Sequence, residues 1–244
     1  MANENDLFGK ITAQKLSRRQ PVFVMYENGV SPMHIMAALS GIREMLALSG
    51  MFENKISVNN LGAWRQPGFY DEQYAAWGNI DFFLERAREL SRRPTQIDAD
   101  IILSHLGGEP WRDPAKCGER HYDVVIVQSD MYSDGTNFVV GLAQTGMGAV
   151  ISTDKFQSLD QVTQTECIKT VVMHEVGHVF GLIPETRVSH VENCLGRHCT
   201  NRCIMRQGLR LPDDWIRMTY DRFQRGALCW ECELDILEFF REPR

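Results

Sequence analysis

One stretch of this chain constrains its fold more than any other. From about Ser158 to Phe180 the residues follow a helical pattern, and inside it stands His174-Glu175-Val176-Gly177-His178. Two histidines four apart lie on one face, about one turn from each other, the spacing at which two imidazoles can chelate a single ion. Glu175 is offset by roughly 100° from His174, so its carboxylate reaches the outer side of that ion without having to ligate it. Ile168, Val172, Val176 and Val179 form an apolar stripe roughly opposite His174. Such a helix must bury one side in a core and turn the other toward a cleft. With seven histidines in 244 residues, H-E-x-x-H arises by chance roughly 0.01 times per chain, and Gly181 lowers that by roughly another tenfold.

The residue types fit one chemistry. Two neutral imidazoles and a third ligand hold Zn²⁺ in a tetrahedron with one position left for water. The ion brings the pKa of that water to around 7 and polarises a scissile carbonyl. A carboxylate placed like Glu175 then takes the water proton and later delivers it to a leaving amine. Glycine at 181 can adopt positive φ, so the chain can leave the helix sharply and return a downstream ligand to the metal. In the extended form of the motif that ligand follows the glycine closely, but the position is occupied here by Pro184, which cannot bind metal. His190, His198, Glu185 and Glu192 are the downstream candidates.

Twenty-six basic against 32 acidic side chains give a net charge of −6, which excludes the basic balance expected of a nucleic-acid or anionic-membrane partner. No stretch has the ~20 apolar residues needed to cross a bilayer, and the first twenty residues lack the apolar core of a signal peptide. A cytoplasmic protein with reduced thiols is therefore expected. Its seven cysteines cannot all pair within one chain, and in a reducing compartment clustered cysteines point to metal. Cys117 and Cys167 stand apart as small hydrophobes.

Around the central helix, strands are expected at residues 21–25, 55–58, 101–104, 124–128, 137–143 and 149–152, the last reached through a turn at Gly146 and Gly148. Ser31-Pro32 opens a helix over 33–48, an amphipathic helix covers 79–91, and helices return at 213–224 and 230–240. Residues 182–210 read as loop. This order implies an α/β (α+β) fold: a twisted mixed sheet with backing and active-site helices in a larger lobe, 1–182, and a small irregular lobe, 183–244.

His198-Cys199-x-x-x-Cys203-x-Met205, followed by Cys229-Trp230-Glu231-Cys232, resembles the archaemetzincins, a family of metzincin-type zinc peptidases. The stretch Asp130-Met131-Tyr132 to Asn137-Phe138-Val139-Val140-Gly141-Leu142-Ala143 is similar to the family's strand before its active-site helix. The resemblance implies two zinc ions. A catalytic one would be held by His174, His178 and His198, with Glu175 as base and Met205 in a Met-turn beneath. A structural one would be held by Cys199, Cys203, Cys229 and Cys232. Relative to the family spacing, roughly fourteen residues are inserted between Gly181 and His198, and His190 inside that insertion is the alternative third ligand. Each cysteine pair is a chelating knuckle, and a lobe with little apolar content gains its order from such a clip. Cys194 is left over.

The function expected is a zinc metallopeptidase acting on peptides or proteins, with residues 137–143 as a sheet edge that receives an extended substrate. The alternative is a latent peptide-binding module whose cleft is blocked by the 182–198 insertion. A glutamate-ligated site leaves the Met-turn cysteines unexplained. Trp64, Trp77 and Trp111 are expected as core or lid anchors.

Overall fold

The computed structural model describes residues 18–52, 54–63, 79–107 and 120–241. Trp64, Trp77, Trp111 and Cys117 lie outside the described residues. The strands are β1 (Val22–Tyr26), β2 (Val58–Gly62), β3 (Ile97–Asp98), β4 (Tyr122–Val127), β5 (Met131–Tyr132), β6 (Gly141–Gln144), β7 (Gly148–Ser152), β8 (Val191–Asn193) and β9 (Arg197–Cys199). The helices are α1 (Pro32–Leu48), α2 (Ile80–Leu90), α3 (Ala99–Gly107), α4 (Gln161–Val179), α5 (Asp213–Arg225) and α6 (Trp230–Phe239).

Among the described residues five strands form one sheet in the order β2-β1-β4-β7-β6, parallel except for β6, which runs antiparallel to β7 at the edge. Successive side chains of a strand point to opposite faces. β4 accordingly sends Tyr122, Val124 and Ile126 into one buried cluster and Val125 and Val127 into another. Helices α1 and α4 cover the first face, α2 and α3 the second. This is the mixed α/β architecture expected. The first cluster continues unbroken through Phe180, Leu182 and Ile183 to Ile204, Trp215, Met218, Ile236 and Phe240, so the C-terminal stretch shares its core with the sheet.

Local chemistry sets the boundaries. The Asp160 carboxylate accepts from the backbone N–H groups of Val162 and Thr163, both at 3.1 Å, which starts α4 at Gln161 rather than near Ser158. The β6–β7 hairpin turns through Gly146 at φ 75°, and its tip is tied to the end of α4. Gly146 N–H donates to the Val179 carbonyl at 2.9 Å and the Thr145 hydroxyl to that of His178 at 2.9 Å.

Four expectations need correcting. Residues 101–104 belong to helix α3, not a strand. Asp98 caps that helix by accepting from Asp100 N–H at 3.0 Å, and the buried Ala99, Ile102, Leu103 and Leu106 recur at helical spacing, which overrides the strand preference of two adjacent isoleucines. The strand expected at 55–58 begins at Val58, because Lys55 and Ile56 turn back onto the Phe52 carbonyl. Of 137–143, only the part from Gly141 is strand, with Val139 forming an isolated bridge to Met131. The 182–210 region is not all loop: β8 and β9 form an antiparallel hairpin inside it. Among the described residues no helix is long and apolar enough to cross a membrane.

Candidate functional site

The last two turns of α4 bring His174, Glu175 and His178 to the wall of a cavity of about 1100 Å³, also lined by the edge strand, His198 and Trp215. The His174 ring is oriented by the chain rather than by a side chain: its Nδ1 donates to the Ile204 carbonyl at 2.7 Å. A carbonyl only accepts, so the proton sits on Nδ1 and Nε2 keeps its lone pair. That Nε2 lies 3.2 Å from Nε2 of His178. His198 arrives from β9, opposite Glu192 in the hairpin register. Its ring centroid stands 5.3 Å from that of His174 and 5.1 Å from that of His178. One ring nitrogen of each of the three lies within 4.8 Å of the others.

Burial pushes all three rings toward the neutral form. His174 falls well below the ordinary histidine range, through burial and then the neighbouring rings. His178 falls to about 3 for the same reasons, and burial lowers His198. Neutral imidazole is the ligating form. The donor set fits a tetrahedral ion, since Zn–N bonds of about 2.1 Å place ligand nitrogens about 3.4 Å apart.

Glu175 is 5% exposed, and burial pushes its carboxyl up to about 8. It packs on the edge strand at a residue without a side chain: a Cβ on Gly141 would lie 2.4 Å from Glu175 Oε1. Gly177 serves a second close approach, because a Cβ there would meet Met205 Sδ at 2.6 Å. Met205 is fully buried beneath the helix, and its carbonyl accepts from Cys199 N–H at 2.9 Å. Gly181 takes φ 69°, and the chain reverses there.

The run from Cys199 to Met205 also begins a second cluster. Cys199 Sγ is 3.7 Å from Cys229 Sγ, and Cys203 Sγ is 3.8 Å from Cys232 Sγ. All four sulfurs lie within 4.8 Å of one another. A disulfide needs about 2.05 Å, whereas a tetrahedron of Zn–S bonds of about 2.3 Å has edges near 3.8 Å. The thiols fit the ion.

Of the other candidates, His190 is not among the three clustered rings. Its Nδ1 lies 2.8 Å from Glu231 Oε2, and its side chain is 55% exposed. Glu185 is an exposed partner of Arg197 on the cavity wall. Cys194 sits half-buried at the hairpin tip and Cys167 is buried in the core. Sequence reasoning missed the Ile204 carbonyl, Gly141, and Trp215, whose ring meets His174 edge-on at 5.2 Å. Gly177 carried a usable signal, since glycine inside a helix costs about 1 kcal/mol and asks for a packing reason.

A sheet with an antiparallel edge beside a helix bearing clustered histidines, over a cysteine cluster, defines an α/β protein with two candidate metal sites. No family model matches the chain. An archaemetzincin of Nanoarchaeum equitans is 36% identical over 91 residues, covering 36% of this chain and 42% of that protein. One of Archaeoglobus fulgidus is 33% identical over 82 residues, covering 33% and 42%. The matched stretch thus spans less than half the length of either relative. The crystal structure of archaemetzincin from Methanopyrus kandleri has the same fold, with a TM-score of 0.60 at 20% identity over 91% of this chain and 96% of that one. The chain is thus similar to archaemetzincins in sequence over part of its length and in fold over nearly all of it.

Proposed function

We propose that the chain is a zinc-dependent metallopeptidase that hydrolyses peptide bonds, with Glu175 as general base and then general acid. The observation that carries this reading is the meeting of three neutral imidazoles from two separate elements, beside a buried carboxyl, on the wall of a large cavity. A zinc ion held by His174, His178 and His198 would polarise the substrate carbonyl and bring a water's pKa near 7. The chain's own residues supply the rest. The Ile204 carbonyl keeps the His174 proton on Nδ1. Glu175, held against Gly141, takes the proton of the attacking water and returns it to the leaving amine. Among the described residues β6 is the last strand of the sheet, so its outer edge can receive an extended peptide or protein segment as an added strand.

A second zinc on Cys199, Cys203, Cys229 and Cys232 would clip the C-terminal stretch, 183–244, as a structural unit. Free thiols suit a reducing compartment such as the cytoplasm, and the net charge of −6 gives nucleic acid no footing. The alternative, a latent binding module, draws on the insertion, whose Ile183 and Leu195 lie along the cavity wall. A volume of about 1100 Å³ beside the histidines favours the enzyme.

The test is peptide-library cleavage by zinc-loaded wild type beside Glu175→Ala. Cleavage lost in the variant with zinc retained supports the proposal. Retained peptide binding with no cleavage by the fully loaded wild type supports the module instead.

A further inference from the structure

One buried cation plays no part in the site just described. Arg187 belongs to the insertion and is 8% exposed. A guanidinium at that depth must find acceptors for its N–H groups. Its Nη2 donates to Cys199 Sγ at 3.1 Å and its Nη1 to Cys232 Sγ at 3.3 Å. Nη1 also donates to Asp235 at 2.8 Å, Nη2 reaches Glu231 at 3.4 Å, and Nε donates to the Ser189 carbonyl at 3.0 Å. The two sulfurs belong to different close pairs, since Cys199 faces Cys229 and Cys232 faces Cys203. The fork therefore straddles the cluster instead of ending on one thiol. Asn201 adds two weaker donations, from its N–H to Cys199 Sγ and from Nδ2 to Cys229 Sγ, both at 3.4 Å.

Four thiolates around a divalent ion carry a double negative charge, and burial makes such a charge costly unless donors and cations face it. We propose that Arg187 is the counter-cation of the cysteine metal site and, through that site, a positioning residue for His198. This rests on the two-metal reading above. The planar guanidinium can address two sulfurs at once, which a lysine ammonium on a flexible stem cannot reproduce. The link to the histidines is short. Cys199 follows His198 on β9, its N–H bonds the Met205 carbonyl, and the adjacent Ile204 carbonyl holds His174. Displacing Cys199 displaces both rings. The insertion that lengthens the path from Gly181 to His198 thus brings its own fastening.

The test uses the full chain loaded with Co²⁺, whose thiolate-to-metal absorption reports the cysteine site. Hydrogen bonds to sulfur lower its lone-pair energy, so losing them moves that absorption to longer wavelength. The expected result is a red shift in Arg187→Met and a smaller one in Arg187→Lys. Loss of cobalt from the cysteine site to EDTA should be roughly 10–100-fold faster in Arg187→Met, with weaker metal binding at the histidines as well. His198→Ala should empty the histidine site alone. Asp235→Asn, which removes an ion pair of Arg187 without touching sulfur, should leave the absorption in place. Unchanged absorption and release in both Arg187 variants overturn the proposal, as does an Asp235→Asn variant that reproduces the whole effect. If Arg187→Met fails to fold, the Arg187→Lys spectrum decides. A wild type with no thiolate–cobalt absorption overturns the two-metal reading itself, and this inference with it.

Discussion

Glu175 meets opposing demands in the folded chain. Its carboxyl is pushed from the ordinary 4.5 to about 8 by burial, so without metal the folded protein holds a proton there that the unfolded chain releases. A raised pKa gives stability that is full below about 4.5 and is lost as pH rises through about 8. Metal-free Glu175→Gln should therefore be more stable than metal-free wild type at pH 8, by at most a few kcal/mol, and the gap should close toward pH 4.5. Thermal melts of the two proteins across that range check this, and a gap independent of pH would contradict it. His178 has the reverse sign: its stability contribution is present above 6.5 and is lost as pH falls toward about 3. Gly141→Ala places a Cβ 2.4 Å from the Glu175 carboxylate and should cut peptide cleavage roughly 10²-fold with zinc content unchanged; equal rates at equal zinc would contradict it. His174, Glu175 and His178 were legible because a helix fixes spacing into direction. The Ile204 carbonyl and Gly141 were not, since a backbone acceptor has no sequence signature and a strand glycine has many uses.

At the level of elements, the end of α4 is where sheet, central helix and C-terminal helix meet. Phe180 is fully buried, with its ring centroid 5.4 Å from Tyr122 of β4, 6.2 Å from Phe239 of α6 and 5.0 Å from Phe240. Phe180→Ala should cost roughly 3–5 kcal/mol, read as a drop of order 10 °C in melting temperature. A drop below about 2 °C would mean that α6 does not share the sheet's core. Helices α1, α2, α4, α5 and α6 were readable from period and caps. Helix α3 was misread because four residues of Ile-Ile-Leu-Ser carry strand preference, while the cap at Asp98 and the wider period decide the matter. The β8–β9 hairpin was hidden because its strands are three residues each and turn through positive φ at Leu195 and Gly196, too short for an alternation to register.

Across the whole molecule, two metal-type clusters share one short turn. His198 and Cys199 are neighbours on β9, and the run from Cys199 to Met205 serves both groups: Cys199 and Cys203 supply sulfur, Ile204 orients His174, and Met205 fills the space under Gly177. The odd cysteine count needs no disulfide, because four thiols gather as a ligand set. What the chain could not reveal by spacing alone was which downstream histidine closes the first group, since an insertion breaks the usual distance and only the hairpin brings His198 back. The most direct measurement is a crystal structure of the zinc-loaded protein with anomalous data at the zinc edge. Two peaks are expected, one among the ring nitrogens of His174, His178 and His198 and one among the four sulfurs. A zinc peak at His190, or no peak at the three histidines in fully loaded protein, would contradict the proposal at its centre.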